Sequence, residues 1–326
     1  ETEIRGLDMG IRWSFSKLSK VEQCGTAYYR HYELGERGPS SDPLRKGSLV
    51  HETLEVVSRV AVAKEYIGPL DLDKTLALYA TLWAQHYPDG GSVGHYRDGE
   101  DIVASWVDRK ASIDYRKIVA IEKRFEIGLP NGDTLMGFID LIERDDNGRL
   151  VIVDYKTNRA MYSKDEVEES LQLGIYALAA SKEYPNESPL LAYDMLRHGY
   201  RQLTERTPAE LESIVRYIGP LAARVRGWQA VPAAYPESLN NLCGWCSYRS
   251  LCASYQSALN EGELEAIGPQ DLDALAIERE RVAAVEKVAR GRKYEIDAII
   301  KTKVKEDGPV TAGGRVYRLS KTTKRT

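Results

Sequence analysis

Four cysteines in 326 residues are too few to staple a chain of this length, which excludes a disulfide-dense scaffold. No stretch approaches the roughly 20 consecutive apolar residues that a membrane-spanning helix needs. No apolar run near the start reads as a secretory signal, so the expectation is a cytoplasmic protein without membrane contact. An excess of positive charge is missing too: 45 Lys and Arg against 49 Asp and Glu leave a formal net charge of −4. No general basic field is available to draw in a polyanion, and nucleic-acid binding would have to use a local patch. Internal repeats and low-complexity tracts are absent. What is present is ordinary for a globular protein, 43% hydrophobic and 29% charged. The length allows one large domain, or one domain with an appendage.

Helical periodicity dominates the first third. A helix is expected from about Ser16, carrying Cys24 near its end, and a second from about Gly47, with Leu49, Val50, Leu54, Val57 and Val60 as its apolar stripe. Residues 70–115 read as helical. Strand character then takes over in three successive runs, KIVAIEKRFEIGL, TLMGFIDLIER and RLVIVDYKT, separated by an Asn131-Gly132 turn and by DDNG. A helix follows, opened by Ser163 and Glu166 at capping-box spacing. Next come a strand pair reversing at His198-Gly199 and a helix opened by Thr207, Pro208 and Glu210. Beyond residue 259 the sequence predicts a long charged helix with a break near Gly291, then a basic hairpin or tail bearing Lys321, Lys324 and Arg325.

The run VIVDYKT places charges where a buried strand should exclude them. Strand alternation puts Asp154 and Lys156 on one face with Ile152, and Val151, Val153 and Tyr155 on the other. A two-residue loop before this strand would set Asp140 opposite Tyr155. A three-residue loop, Asp146-Asn147-Gly148, would set Asp140 opposite Asp154, with Cβ atoms about 5 Å apart. The turn residues fit both. Two carboxylates so close repel unless a cation lies between them, and Mg²⁺ typically takes one or two carboxylates plus waters and phosphate oxygens. A lysine alongside could orient water or stabilise developing phosphate charge. The plainer alternative is a salt bridge at a strand end, a common and weak feature.

The string GFIDLIERDDNGRLVIVDYKT resembles the core of the PD-(D/E)xK nucleases, in particular the RecB-type branch. Asp140 and Asp154 match the two acids and Lys156 the lysine. His51 in GSLVHETLE matches an additional metal ligand, and Gln172 and Tyr176 in LQLGIYAL match the Gln-x-x-x-Tyr helix after the catalytic strand. Glu122 resembles an acid often found on the preceding strand and reads as structural; Glu52 and Glu55 read as solvated.

The resemblance implies an α/β fold, a restriction-endonuclease-like central mixed sheet flanked by helices. It also implies Mg²⁺- or Mn²⁺-dependent hydrolysis of DNA, exonucleolytic on single-stranded ends. By the same resemblance His51, Asp140, Asp154 and the Tyr155 carbonyl hold metal, Lys156 positions water, and Gln172 and Tyr176 support substrate placement. The main rival is a DNA-end-binding or assembly module of a recombination or repair complex, with little activity of its own.

Cys243, Cys246 and Cys252 are spaced C-x₂-C-x₅-C, and Cys24 lies far upstream. Four thiolates suit either tetrahedral zinc or an iron–sulfur cluster, and side-chain chemistry does not separate them. The arrangement is similar to that of the iron–sulfur RecB-type nucleases, including CRISPR-associated and phage-encoded exonucleases. That likeness implies a structural 4Fe–4S cluster joining the two ends of the nuclease domain; Gly25 departs from the proline common after the first cysteine. The expected organisation is a nuclease domain with its iron–sulfur module at 1–258 and a helical extension with a basic tail at 259–326. Tyr28, Tyr29, Arg30, His31 and Tyr32 are candidate contacts to single-stranded DNA by stacking and phosphate pairing, with Tyr28 and Arg30 foremost, or else they pack the cysteine site. The C-terminal helix is a candidate surface for a protein partner, and the setting implied is the cytoplasm of a bacterial or phage-infected cell.

Overall fold

β-Branched and apolar residues between Ile118 and Lys156 form an antiparallel meander, and the rest of a mixed sheet is built outward from it. The computed structural model describes residues 10–38, 41–109, 114–231, 235–260, 272–312 and 315–317. The strands in chain order are β1 (Arg12–Trp13), β2 (Ile118–Gly128), β3 (Thr134–Arg144), β4 (Leu150–Lys156), β5 (Leu190–Met195), β6 (Tyr200–Thr204), β7 (Val310–Ala312) and β8 (Arg315–Tyr317). The helices are α1 (Phe15–Gln23), α2 (Gly25–Tyr28), α3 (Asp42–Ala63), α4 (Leu72–His86), α5 (Val93–Arg109), α6 (Lys164–Glu168), α7 (Leu171–Glu183), α8 (Pro208–Ala230), α9 (Ala253–Asn260) and α10 (Leu272–Asp307). Two units divide the chain: Glu1–Leu18 with Ser40–Arg226, and Ser19–Pro39 with Gly227–Thr326.

In the first unit β2 lines one edge of β3 antiparallel, while β4 (antiparallel) and the short β1 (parallel) share its other edge. β5 continues parallel to β4, and β6 closes the sheet antiparallel to β5. The sheet is therefore mixed and flanked by helices, as expected. The β3–β4 hairpin takes the three-residue loop: Asp145 N–H donates to Arg149 O, and Gly148 sits at φ +79°. That left-handed conformation costs glycine nothing, and it sets the register at Leu141 opposite Val153. Asp140 and Asp154 are the next residues along this register.

The core lies between one face of the sheet and α3, α4 and α5. Leu49, Leu54, Trp83 and Trp106 pack there against Val151, Val153 and Tyr155. Each fully buried side chain of this size contributes about 1.5–3 kcal/mol. Asp133 pins the start of β3, accepting from Trp13 Nε1 at 3.0 Å and Ile11 N at 2.7 Å while pairing with Arg226.

Four helix boundaries differ from the sequence expectation, each for a local reason. The run 70–115 is two helices, because Pro88, Gly90 and Gly91 interrupt it after His86. α3 starts at Asp42 rather than Gly47, with Ser41 as N-cap and Pro43 in its first turn. Ser163 and Glu166 make the expected capping box, but Ser170 caps a second helix by accepting from Leu173 N, dividing α6 from α7. In the second unit α10 runs 36 residues without a break at Gly291. That glycine serves close packing: a Cβ on it would stand 3.2 Å from Asn241 O and 3.5 Å from Gly244 N. β7 and β8 form a small hairpin, and Lys321, Lys324 and Arg325 lie outside the described residues. Among the described residues no helix is long and apolar enough to cross a membrane.

Candidate active site and a four-cysteine site

At the C-terminal end of β4 the sheet opens into a cleft of about 1130 Å³. His51, Asp140, Asp154, Tyr155, Lys156, Gln172 and Tyr176 all line it, so every residue expected at the nuclease site meets in one place. Three elements converge there: α3 carries His51, the β3–β4 pair carries the two aspartates and the lysine, and α7 carries Gln172 and Tyr176.

Asp154 is 3% exposed. Its Oδ1 accepts from Gln172 Nε2 at 2.7 Å and from Tyr176 OH at 3.1 Å. Lys156 Nζ stands 2.6 Å from its Oδ2 as an ion pair, though outside hydrogen-bond geometry. The same ammonium donates to Gln172 Oε1 at 2.7 Å and lies 4.6 Å from the centre of the Tyr193 ring. Gln172 thus joins acid and amine with its two ends, which fixes its own orientation as well as theirs. Asp140 reaches back to β4, where its Oδ2 accepts the Tyr155 N–H at 2.7 Å, and His51 Nδ1 is 3.4 Å from the same oxygen.

The electrostatics follow from burial and like charge. Burial raises the Asp154 carboxyl, Lys156 lowers it, and Asp140 raises it again; the net is upward. Burial works against the Lys156 ammonium, but Asp154 outweighs this and raises its pKa, so the amine stays charged. For His51 burial favours the neutral ring, yet the hydrogen bond and charge of Asp140 prevail and the pKa rises.

The sequence presents Glu122 as structural, whereas the structure places it in the cleft. It stands on β2 where Asp140 faces it across the ladder, at φ +48°, a conformation rare for a side-chain-bearing residue. Burial, Asp140 and Glu55 together push its carboxyl up to about 7. The sequence signal that could have identified it was register: Ile121 pairs with Leu141 and Lys123 with Ile139, so Glu122 falls opposite Asp140. Glu52 and Glu55 also line the cleft. Tyr193, whose ring underlies the Lys156 ammonium, has its hydroxyl 2.5 Å from that of Ser170; neither is among the residues the sequence points to. Beside the cleft, buried Lys46 pairs with Asp98, which Arg197 also clasps at 2.6 and 2.7 Å. Although burial opposes it, these two cations hold the Asp98 carboxyl well below the usual range.

In the second unit Cys24, Cys243, Cys246 and Cys252 are free thiols. Cys24 follows the end of α1, and the other three sit on short turns ahead of α9. Asn240 N–H donates to Cys243 Sγ at 3.2 Å and Tyr255 N–H to Cys252 Sγ at 3.4 Å. Burial raises both thiols, Cys252 to about 11; Cys246 and Cys24 add to it at Cys243, and Glu237 ahead of Cys24 at Cys252. Thr26 ties the Cys24 segment to the Cys243 segment, donating to Tyr235 O and Pro236 O at 3.0 Å each.

Tyr28 does not fit the role of a DNA contact. It is wholly buried, packed on Tyr32, Trp228 and Tyr235, and its hydroxyl donates to Glu33 at 3.0 Å. A base has no access to that ring. Arg30 is committed to Glu36 at 2.8 Å and lies over the Tyr248 ring.

Among families, a model described as the PD-(D/E)XK nuclease superfamily matches residues 12–253. Comparison with curated proteins gives no match. Among solved structures, a candidate exonuclease from Eubacterium rectale is similar at 13% identity and a TM-score of 0.44, covering 82% of this chain and 94% of its own. SSO0001 is similar at 16% identity and a TM-score of 0.35, covering 77% of this chain and 88% of its own.

Proposed function

The chain belongs to the PD-(D/E)XK nuclease superfamily, and from that premise we propose that it is a Mg²⁺- or Mn²⁺-dependent DNA exonuclease acting on single-stranded ends. The observation that carries this reading is the buried Asp154 beside Asp140 at the mouth of an open cleft, with Lys156 held against it through Gln172. A strand-end salt bridge needs neither burial nor a glutamine tying acid to amine.

His51, Asp140, Asp154 and the Tyr155 carbonyl would hold the divalent ion. Carboxylate and imidazole donors in an acidic cleft fit a hard or borderline cation. When bound, the ion supplies Lewis acidity and neutralises charge on a phosphodiester. Lys156, kept cationic by Asp154, orients the attacking water and stabilises negative charge growing on the phosphate. Gln172 fixes the direction of that ammonium, and Tyr176 donates to the same Asp154 oxygen as Gln172. Arg159, at the rim of the cleft, is largely exposed although it pairs with Asp98 at 3.4 Å, and would meet the nucleic-acid backbone.

The four thiols are proposed to bind a structural 4Fe–4S cluster. Zinc suits four thiolates as well, and the choice of a cluster rests on the resemblance to the iron–sulfur RecB-type nucleases. N–H donors to sulfur are the contacts by which a protein tunes such a centre. The preference for single strands and ends, the cytoplasmic setting and a role in recombination rest on the resemblance to RecB-type enzymes.

The second reading, a DNA-end-binding or assembly module, draws support from α10, where Ile277, Tyr294 and Ile299 are exposed on a helix of the second unit and could meet a protein partner. End-labelled single- and double-stranded DNA, incubated with and without Mn²⁺, separates the two. Wild type should shorten the labelled single strand only with metal, and Lys156→Ala should lower the rate by roughly 100-fold or more while still binding DNA. Intact DNA under every condition would leave the binding module standing alone.

A further inference from the structure

We infer that Glu122 is a direct ligand of the divalent cation and forms a three-donor set with His51 and Asp140; this deepens the metal-dependent reading of the cleft and rests on it. Ligand atoms of these three residues all lie within 4.8 Å of one another, and among the described residues no other three His, Cys, Asp or Glu gather so closely. Two oxygens on one Mg²⁺, with bonds of about 2.1 Å, can stand no more than about 4.2 Å apart, so small side-chain adjustments bring all three onto one ion.

Three further observations separate Glu122 from a packing residue. Its carboxylate takes no hydrogen bond and no ion pair among the described residues. In contrast, Asp154 is answered by Lys156, Gln172 and Tyr176, and Asp98 by Lys46 and Arg197. The charges nearest it are Asp140 and Glu55, with only His51 and Arg59 opposing them, and Arg59 is itself paired with Glu55 at 2.8 Å. Its backbone leaves the regular strand at φ +48°, between the flanking ladder pairs Ile121–Leu141 and Lys123–Ile139. A residue serving only to fill β2 would have a neutral side chain and an extended backbone. The cleft therefore has two differently prepared sides: on the α7 side the acid already has its cation, Lys156, while on the β2 side the acids face one another.

The test is Mn²⁺ binding followed by the electron paramagnetic resonance signal of free Mn²⁺, with thermal melts in EDTA and in Mn²⁺, on wild type, Glu122→Gln and Glu122→Asp. Loss of groups that merely orient a metal's ligands costs 10–100-fold in affinity. Removing a ligand should therefore weaken Mn²⁺ binding in Glu122→Gln by at least about tenfold. Glu122→Asp, which keeps the carboxylate, should recover part of it. In EDTA the Glu122→Gln protein should melt higher than wild type, since it no longer buries opposed charge, yet gain less from Mn²⁺. Equal Mn²⁺ affinity in wild type and Glu122→Gln would overturn the inference. So would a Glu122→Asp protein as weak in Mn²⁺ as Glu122→Gln, with both melting below wild type in EDTA. Wild type that binds no Mn²⁺ would instead count against the metal-dependent reading.

Discussion

A carboxylate at the end of a buried strand survives only if each of its oxygens is answered, and Asp154 shows how this chain arranges it. Gln172, Tyr176 and Lys156 take its two oxygens, leaving a site that is ordered but still charged. Glu122 is the opposite case, and its ionisation gives a prediction at this scale. Its ordinary pKa of 4.5 rises to about 7 in the folded protein, so between those values the native state holds a proton that the unfolded chain has released. The stabilisation is complete below the unfolded value and is lost as pH climbs through the folded one. Asp154, also raised, contributes in the same direction. In EDTA the melting temperature should therefore fall between about pH 4.5 and about pH 7.5, and fall less steeply in Glu122→Gln. Added Mn²⁺ should offset the fall, because a cation competes with protons for the same oxygens. A melting temperature flat across that window in both proteins would show that the cleft is more hydrated than its burial implies.

At the scale of elements, local chemistry announced itself well. The three meander strands, the Ser163–Glu166 box and the Thr207–Glu210 pair are all present, because caps and alternation act over a few residues. Gly291 was misleading for the converse reason. Propensity makes glycine a helix breaker, but its lack of a side chain is also what lets α10 approach Gly244. Gly291→Val should therefore loosen α10 from the Cys243 segment although valine is the better helix former. Faster hydrogen exchange across residues 285–297 would register it; unchanged exchange would mean that the contact holds little.

For the whole molecule, the cysteine site is the largest claim that composition alone could not close. Anaerobically purified protein should be brown, carry about four irons per chain, and lose both colour and thermal stability in Cys252→Ser. A colourless protein containing zinc would reassign the centre without touching the nuclease site, since all four cysteines belong to the second unit.

The resemblance of its motifs to the PD-(D/E)xK nucleases was enough to mark His51, Asp140, Asp154, Lys156, Gln172 and Tyr176 as a set, while strand and helix periods put Asp154 with Lys156, and Gln172 with Tyr176, on one face each. The hairpin loop also carried its own answer in Gly148, although two registers fitted its residues equally. Tertiary packing alone decided what depends on neighbours remote in sequence. It turned Glu122 from a strand residue into a member of the metal-capable group, and it removed Tyr28 from the surface by enclosing it among Tyr32, Trp228 and Tyr235. The physical reason is the same for both. Burial and the charge of facing groups set what a side chain can do, and neither is a property of the residue's own stretch of chain.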